Sequence, residues 1–88
     1  MNYVYMIKNS NNELYVGISE NPSNRLHTHN TNSGAMFTKN KKDFKLVFLE
    51  EHKTLAEARK REIQIKKWRR EKKELLIQKY ELRLNTRF

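Results

Sequence analysis

Two short apolar segments near the N-terminus constrain the fold more than any other feature of this chain. Tyr3 to Lys8 is rich in aromatic and branched residues, and so is Leu14 to Ser19. The turn-forming cluster Asn9 to Asn12 lies between them. Two segments of this length and composition, joined by such a turn, predict a β-hairpin.

The hydrophobic pattern after the hairpin predicts a helix, a nearly continuous apolar strand and two further helices. These segments are Pro22 to about Asn30, Phe44 to His52, Leu55 to about Arg69, and Glu71 to Leu84. The basic, glycine-containing segment Thr31 to Lys42 predicts a loop. The order β-β-α-β-α-α indicates one α/β domain over residues 1–88, with a small three-stranded mixed sheet flanked by helices.

The charge of the chain indicates its partner. The 88 residues carry a net charge of +9, from 19 Lys and Arg against 10 Asp and Glu. A charge this far from neutral repels itself in the folded state and favours a nucleic-acid partner over a merely soluble basic surface. The absence of cysteine excludes disulfides and thiolate zinc sites. Without a signal pattern or a membrane-length apolar run, we expect an intracellular protein, cytoplasmic or nuclear, that does not bind a membrane.

Alternation along the hairpin divides its side chains between two faces. If Val4 and Val16 belong to the buried face, Tyr5 and Tyr15 lie on the opposite face together with Gly17. This arrangement requires a hairpin loop with an odd number of residues, so that odd-numbered positions pair with one another. Taken alone, the two tyrosines are explained as a pair that stabilises the sheet. The glycine is harder to explain, since glycine within a strand often marks the close approach of a ligand or another backbone.

The first helix carries a pair of residues suited to phosphate chemistry. Arg25 and His29 are four residues apart, so they project from the same helix face. An arginine can clamp a phosphate oxygen while a neighbouring histidine moves a proton. Taken alone, the pair is explained more simply as a solvated helix face.

The second helix carries an acid on its apolar side. At 100° per residue, Glu62 falls within the arc that Ala58 and Ile65 define. Burial of a carboxylate without a partner is costly. Either Lys66, at the favourable i+4 spacing, or a bound divalent metal would offset that cost, and the residues alone favour neither.

Basic residues surround Glu62 and could follow a phosphate backbone, with affinity that depends on salt and not on sequence. Trp68, which lies among them, is interpreted as a packing residue. The predicted nucleic-acid contacts, including one strand glycine and one loop lysine, are Gly17, Lys39, Arg59, Lys66, Lys67, Arg69 and Arg70.

In this order and spacing, the residues resemble the GIY-YIG nucleases. The matching stretches are Tyr3-Val4-Tyr5, Tyr15-Val16-Gly17, the segment from Asn21 to Leu26 with His29-Asn30, and Arg61-Glu62 with Lys66-Lys67-Trp68. The resemblance covers roughly residues 3 to 70 and fits the small single-domain members of the family, such as UvrC-like nuclease modules.

The resemblance implies hydrolysis of a DNA phosphodiester with one divalent metal ion, Mg²⁺ or Mn²⁺. Tyr5 and Tyr15 would lie beside the scissile phosphate, and one of them, with a slight preference for Tyr5, would help to activate the attacking water. Arg25 would stabilise phosphate charge. His29 would orient or deprotonate the nucleophile, and Glu62 would hold the metal.

The chain departs from the family pattern at a few positions. Tyr3 stands where the family name has glycine, and Ile18 stands where some members have lysine. A late asparagine of larger members has no clear counterpart. These departures leave open a weakened enzyme, or a non-catalytic nucleic-acid-binding module of the same fold. The substrate also stays open: a branched or damaged DNA in repair or recombination, or a site chosen by a protein partner. The sequence does not indicate an oligomeric state.

Overall fold

Three strands and three helices make up the part of the chain that the structure describes. The structure, a computed structural model, describes residues 1–30 and 43–86, without the side chain of residue 29. The elements are β1 (Asn2–Lys8), β2 (Leu14–Ser19), α1 (Pro22–Asn30), β3 (Lys45–His52), α2 (Leu55–Lys66) and α3 (Arg70–Glu81). The predicted α/β class and element order are therefore confirmed. No helix within the described residues is long and apolar enough to cross a membrane.

The sheet has the strand order β2-β1-β3, and both of its pairings are antiparallel. The prediction of three strands is confirmed, but the sheet is antiparallel and not mixed. Since β2 and β3 are both antiparallel to β1, they run in the same direction. They do not pair with each other because β1 lies between them, so every hydrogen-bonded pair in the sheet is antiparallel.

The register of the hairpin decides which side chains share a face. Tyr5 pairs with Gly17 and Ile7 pairs with Tyr15, so odd-numbered positions face odd-numbered positions. The loop spans residues 9–13, an odd number, and this confirms the predicted parity. Tyr5 and Tyr15 consequently lie on one face as diagonal neighbours.

Both faces of the sheet are covered. Val4, Met6 and Val16 are buried, as the alternation predicts, and the helices α2 and α3 cover this face. The helix residues buried in the same cluster are Ala58, Ile65, Leu76 and Ile77. The opposite face carries a smaller cluster of Tyr5, Ile7 and Phe44, against which Tyr15, Leu26 and Leu49 pack. Because Leu26 belongs to α1, this second cluster lies beneath the first helix.

The second helix begins where its N-cap predicts. Thr54 has an extended backbone, and its hydroxyl oxygen accepts a hydrogen bond of 3.1 Å from the backbone N–H of Glu57. This cap satisfies one of the backbone donors that a helix start leaves without a partner. The helix ends at Lys66, short of the predicted Arg69, and α3 begins at Arg70 after a short turn.

A buried cluster of Glu50, His52 and Arg61 holds α2 against β3. Glu50 Oε1 accepts a hydrogen bond of 3.0 Å from Arg61 Nε and lies 2.7 Å from His52 Nε2. The exposed fractions of these side chains are 4% for Glu50, 8% for His52 and 10% for Arg61. Arg61 also donates to the backbone carbonyl of Thr86 over 2.7 Å. The cluster therefore anchors α2 through Arg61, which immediately precedes Glu62.

Candidate active site

The ring of Tyr5 lies directly over Gly17. Tyr5 is 1% exposed, and a Cβ added to Gly17 would lie 2.6 Å from its hydroxyl oxygen and 2.7 Å from its Cζ. The same Cβ would lie 3.1 Å from Cε2 of Tyr15. The close neighbour that a strand glycine indicates is therefore a tyrosine ring. We assign Gly17 to tyrosine packing instead of the predicted nucleic-acid contact, because the glycine is buried beneath these rings.

Tyr5, Tyr15 and Arg25 form one group. The centroids of the two tyrosine rings are 6.4 Å apart, with the ring planes tilted by 43°. Arg25 projects from α1 toward both rings. Its hydrogen bond to the Tyr5 hydroxyl, together with the interaction with Tyr15, raises the pKa of Arg25 and keeps its guanidinium fully charged. The structure thus brings together three of the predicted catalytic residues from two strands and one helix.

The hydroxyl of Tyr5 is held in its neutral form. Burial raises the pKa of Tyr5 above its ordinary value of 10.0. The hydrogen bond from Arg25 opposes this shift in part, while the negative charge of Glu62 adds to it. Because burial dominates, Tyr5 is protonated throughout the neutral pH range.

Glu62 approaches the same group from α2. Its side chain is only 14% exposed, and its charge acts on the hydroxyl of Tyr5. The Lys66 ammonium lies 3.3 Å from Glu62 Oε2, and Lys66 is itself 51% exposed. The ion pair that the spacing predicts is therefore formed, and it joins a half-exposed cation to a nearly buried acid.

The donor set around Glu62 suits only certain metal ions. Within the described residues, no three His, Cys, Asp or Glu side chains cluster closely enough to hold a metal. Glu62 would therefore be a single protein carboxylate, the arrangement in which Mg²⁺ keeps several waters and takes further oxygen ligands from substrate phosphates. A preformed zinc or calcium site of several side chains does not fit this part of the chain.

Two predicted site residues lie partly or wholly outside the described residues. The backbone of α1 places residue 29 one turn after Arg25, on the same helix face, and its side chain lies outside the described residues. Lys39 lies outside the described residues altogether.

The predicted phosphate contacts differ in their surroundings. Arg59, Lys67 and Arg69 are exposed on α2 or just after it. Arg70 instead pairs with Glu74 over 2.7 Å and donates to the backbone carbonyl of Asn12 over 2.7 Å. It ties α3 to the hairpin turn, so Arg70 has a structural role that its sequence position did not indicate.

Trp68 packs against the core, as predicted. Two cations lie close to its ring, with the Arg61 guanidinium 5.3 Å and the Lys72 ammonium 4.3 Å from the ring centroid. Both distances are typical of cation–π contacts. The contacts of the indole ring with the core and with these two cations give Trp68 a role in packing.

Known proteins with the same fold and motifs identify the family. The model of the GIY-YIG catalytic domain matches residues 1–75, and the chain belongs to this family, which is a nuclease family whose members act on DNA and generally use a divalent metal ion.

Small relatives match over nearly their whole length. A UPF0213 protein of Staphylococcus aureus is 40% identical over 75 residues, which cover 85% of this chain and 92% of the relative. A UPF0213 protein of Staphylococcus haemolyticus is 38% identical over 76 residues, covering 86% and 93%. The solution NMR structure of a UPF0213 protein from Bacillus halodurans is 30% identical, with a TM-score of 0.57 over 89% of this chain and 84% of that one.

Proposed function

We propose that this protein is a metal-dependent endonuclease that hydrolyses DNA phosphodiester bonds. The observation that carries the proposal is the convergence of Tyr5, Tyr15 and Arg25 on a nearly buried carboxylate, Glu62, from two strands and two helices. An apolar sheet has no need of this group for its packing. If a phosphate, a water and a metal ion bind here, each residue of the group has a role in holding one of them.

Arg25 would neutralise charge on the phosphate. A guanidinium carries five N–H donors in a planar fork, and the hydrogen bonds to the tyrosines use only part of it. The remaining donors can hold a non-bridging phosphate oxygen in the bidentate manner typical of arginine. The tyrosines also fix the orientation of the guanidinium before the DNA arrives, so little side-chain entropy is lost on binding.

Tyr5 would position the attacking water. Because burial favours its protonated form, Tyr5 is a poor base at neutral pH. Its hydroxyl can nevertheless accept from Arg25 and form a second hydrogen bond to a water aligned with phosphorus. We assign removal of the water's proton to His29, which the helix places on the same face as Arg25. Tyr15 would border the phosphate from the neighbouring strand.

Glu62 would hold the divalent ion, Mg²⁺ or Mn²⁺. When bound, such an ion polarises the phosphate and stabilises the departing oxygen. The low exposure of Glu62 fixes the carboxylate in one place, which favours a defined position for the ion.

The exposed cations near the site favour selection of a substrate by its shape. Arg59, Lys66, Lys67 and Arg69 would contact phosphates, which position a DNA strand but carry no sequence information. We therefore propose a preference for a DNA structure of the kind that arises in repair or recombination, or a specificity supplied by a protein partner.

A non-catalytic DNA-binding module of the same fold is the second candidate. It is favoured by the ion pair between Glu62 and Lys66, which would satisfy the carboxylate permanently if no metal entered.

A cleavage assay with paired variants tests the two candidates. Labelled duplex, single-stranded, flap and four-way DNA would each be incubated with Mg²⁺, Mn²⁺ or EDTA. We expect metal-dependent cutting that Glu62→Gln abolishes. The matched control is Glu71→Gln, which removes the same charge from an exposed position at the start of α3 and should cut normally. Binding without cutting by the wild-type protein, on every DNA and with both metals, would overturn the nuclease in favour of the binding module.

A further inference from the structure

A recess lies beside the candidate active site, at the free edge of β2. Its volume is about 290 Å³, and three residues of β2 and two lysines line it. These residues are Leu14, Tyr15, Val16, Lys66 and Lys73. Tyr15 is shared between this recess and the group of Tyr5 and Gly17, so the recess borders the place proposed for the scissile phosphate at that ring.

Only one of the two lysines in this recess has an acid partner among the described residues. Lys73 is half-buried on α3, and no carboxylate among the described residues lies within ion-pair distance of its ammonium. Lys66 has one acid partner, Glu62, which belongs to the active-site group. Both lysines line one small recess, so an anion bound there would be attracted by two positive charges.

The other walls of the recess are apolar. The side chain of Leu14 and the ring of Tyr15 are both half-buried, so each keeps a surface that a ligand can cover. A ligand that offers a phosphate to the lysines and a sugar or base to these two surfaces matches both parts of the recess. A nucleotide unit of a DNA strand has this composition.

We propose that this recess binds the phosphodiester adjacent to the scissile one, and that Lys66 moves from Glu62 to this phosphate when a divalent ion takes its place on the carboxylate. The proposal rests on the function proposed above and names two positioning residues for it, Lys66 and Lys73. The ion pair is suited to such an exchange because Lys66 is half-exposed, and ion pairs of this kind are weak.

The exchange has a consequence that can be measured without cleavage. While Glu62 holds Lys66, the lysine contributes little to DNA binding. Removal of the carboxylate charge releases it. In EDTA, Glu62→Gln should therefore bind DNA more tightly than the wild type, and Lys66→Gln should weaken binding more in the Glu62→Gln background than in the wild-type background.

Lys73 should contribute in every background, because no acid among the described residues pairs with it. We expect Lys73→Gln to weaken binding about tenfold and to reduce the slope of log affinity against log salt by about 0.9 on duplex DNA and about 0.7 on single-stranded DNA. The matched control is Lys60→Gln, which removes the same charge on the β3 side of α2, beside His52 and Arg61. This control should leave the slope unchanged.

The experiment measures fluorescence anisotropy of labelled single-stranded and duplex DNA in EDTA, over a series of salt concentrations. The proteins are the wild type, the three single lysine variants, Glu62→Gln and the double variant Glu62→Gln/Lys66→Gln. Circular dichroism confirms that each variant is folded. A larger effect of Lys73→Gln than of Lys60→Gln, with coupling between Glu62 and Lys66, supports the proposal. If Lys73→Gln and Lys60→Gln weaken DNA binding equally, or if the effects of Glu62→Gln and Lys66→Gln on affinity are additive, the proposal is overturned.

Failure of this inference is separable from failure of the proposed function. If the wild type cuts DNA but Lys73→Gln and Lys60→Gln bind alike, the nuclease stands and the recess does not bind the strand. If the wild type does not cut but the lysine and coupling results appear, the recess binds DNA in a non-catalytic module.

Discussion

Replacing Gly17 by alanine should displace the ring of Tyr5 while the sheet stays folded. The added Cβ would lie 2.6 Å from the Tyr5 hydroxyl oxygen, a distance that real Cβ atoms essentially never show. Favourable contacts of carbon begin near roughly 3.5 Å, so the ring must move by about 1 Å. Because Tyr5 is 1% exposed, it cannot swing freely into solvent, and the surrounding side chains must yield as well.

The expected loss of stability is modest. Overpacking of a core costs about 1–3 kcal/mol. Alanine also removes the conformational cost of glycine in a strand, roughly 0.5–1 kcal/mol. The free energy of unfolding should therefore fall by about 1–2 kcal/mol, which lowers the melting temperature of a domain this small by roughly 4–16 °C.

The expected loss of activity is much larger. If Tyr5 positions the attacking water, a displacement of its hydroxyl by about 1 Å would slow cleavage on the order of 100-fold. Single-turnover cleavage with saturating metal, at a temperature well below the melting transition, would measure this effect. Urea unfolding of the same preparations would measure the stability.

A variant with similar stability and an intact site provides the control. Ile77 is 4% exposed on α3, in the core on the opposite face of the sheet from Tyr5. Ile77→Val should cost about 0.5–1.5 kcal/mol and leave cleavage unchanged. A folded Gly17→Ala protein that cuts at the wild-type rate would refute the reasoning that this glycine sets the place of Tyr5.

Two further predictions concern the buried ionisable side chains of Glu50 and Tyr5. Glu50→Ala leaves the nearly buried guanidinium of Arg61 without its acid, removes the hydrogen-bond partner of His52, and should cost about 3–5 kcal/mol in urea unfolding; a loss below about 1 kcal/mol would contradict this. Burial raises the pKa of Tyr5 in the folded state, so its contribution to stability is complete below the unfolded value of 10.0 and is lost as the pH rises through the higher folded value. Denaturation at alkaline pH should show this loss in the wild type and less of it in Tyr5→Phe, and identical profiles would count against the shift.

Local patterns in the sequence determined most of the hairpin and the helix starts. Alternation and an odd loop placed Tyr5, Tyr15 and Gly17 on one face, because side chains along a strand alternate whatever surrounds them. The spacing of four residues placed Glu62 beside Lys66 in the same way, since it depends only on the helical repeat. Thr54 capped α2 because its hydroxyl reaches a backbone donor three residues on.

Only the tertiary structure decided which elements meet. Nothing local shows that β1 is the central strand, so the sheet could be read as mixed until the pairings were known. The sequence left a ligand or another backbone as the close neighbour of Gly17, and that neighbour is the ring of Tyr5. Arg70 of α3 donates to the carbonyl of Asn12 in the hairpin turn, and Arg61 of α2 donates to Glu50 of β3. Periodicity specifies the faces of a single element, whereas these contacts depend on how separate elements pack against one another, which is the physical reason that they could not be predicted from spacing.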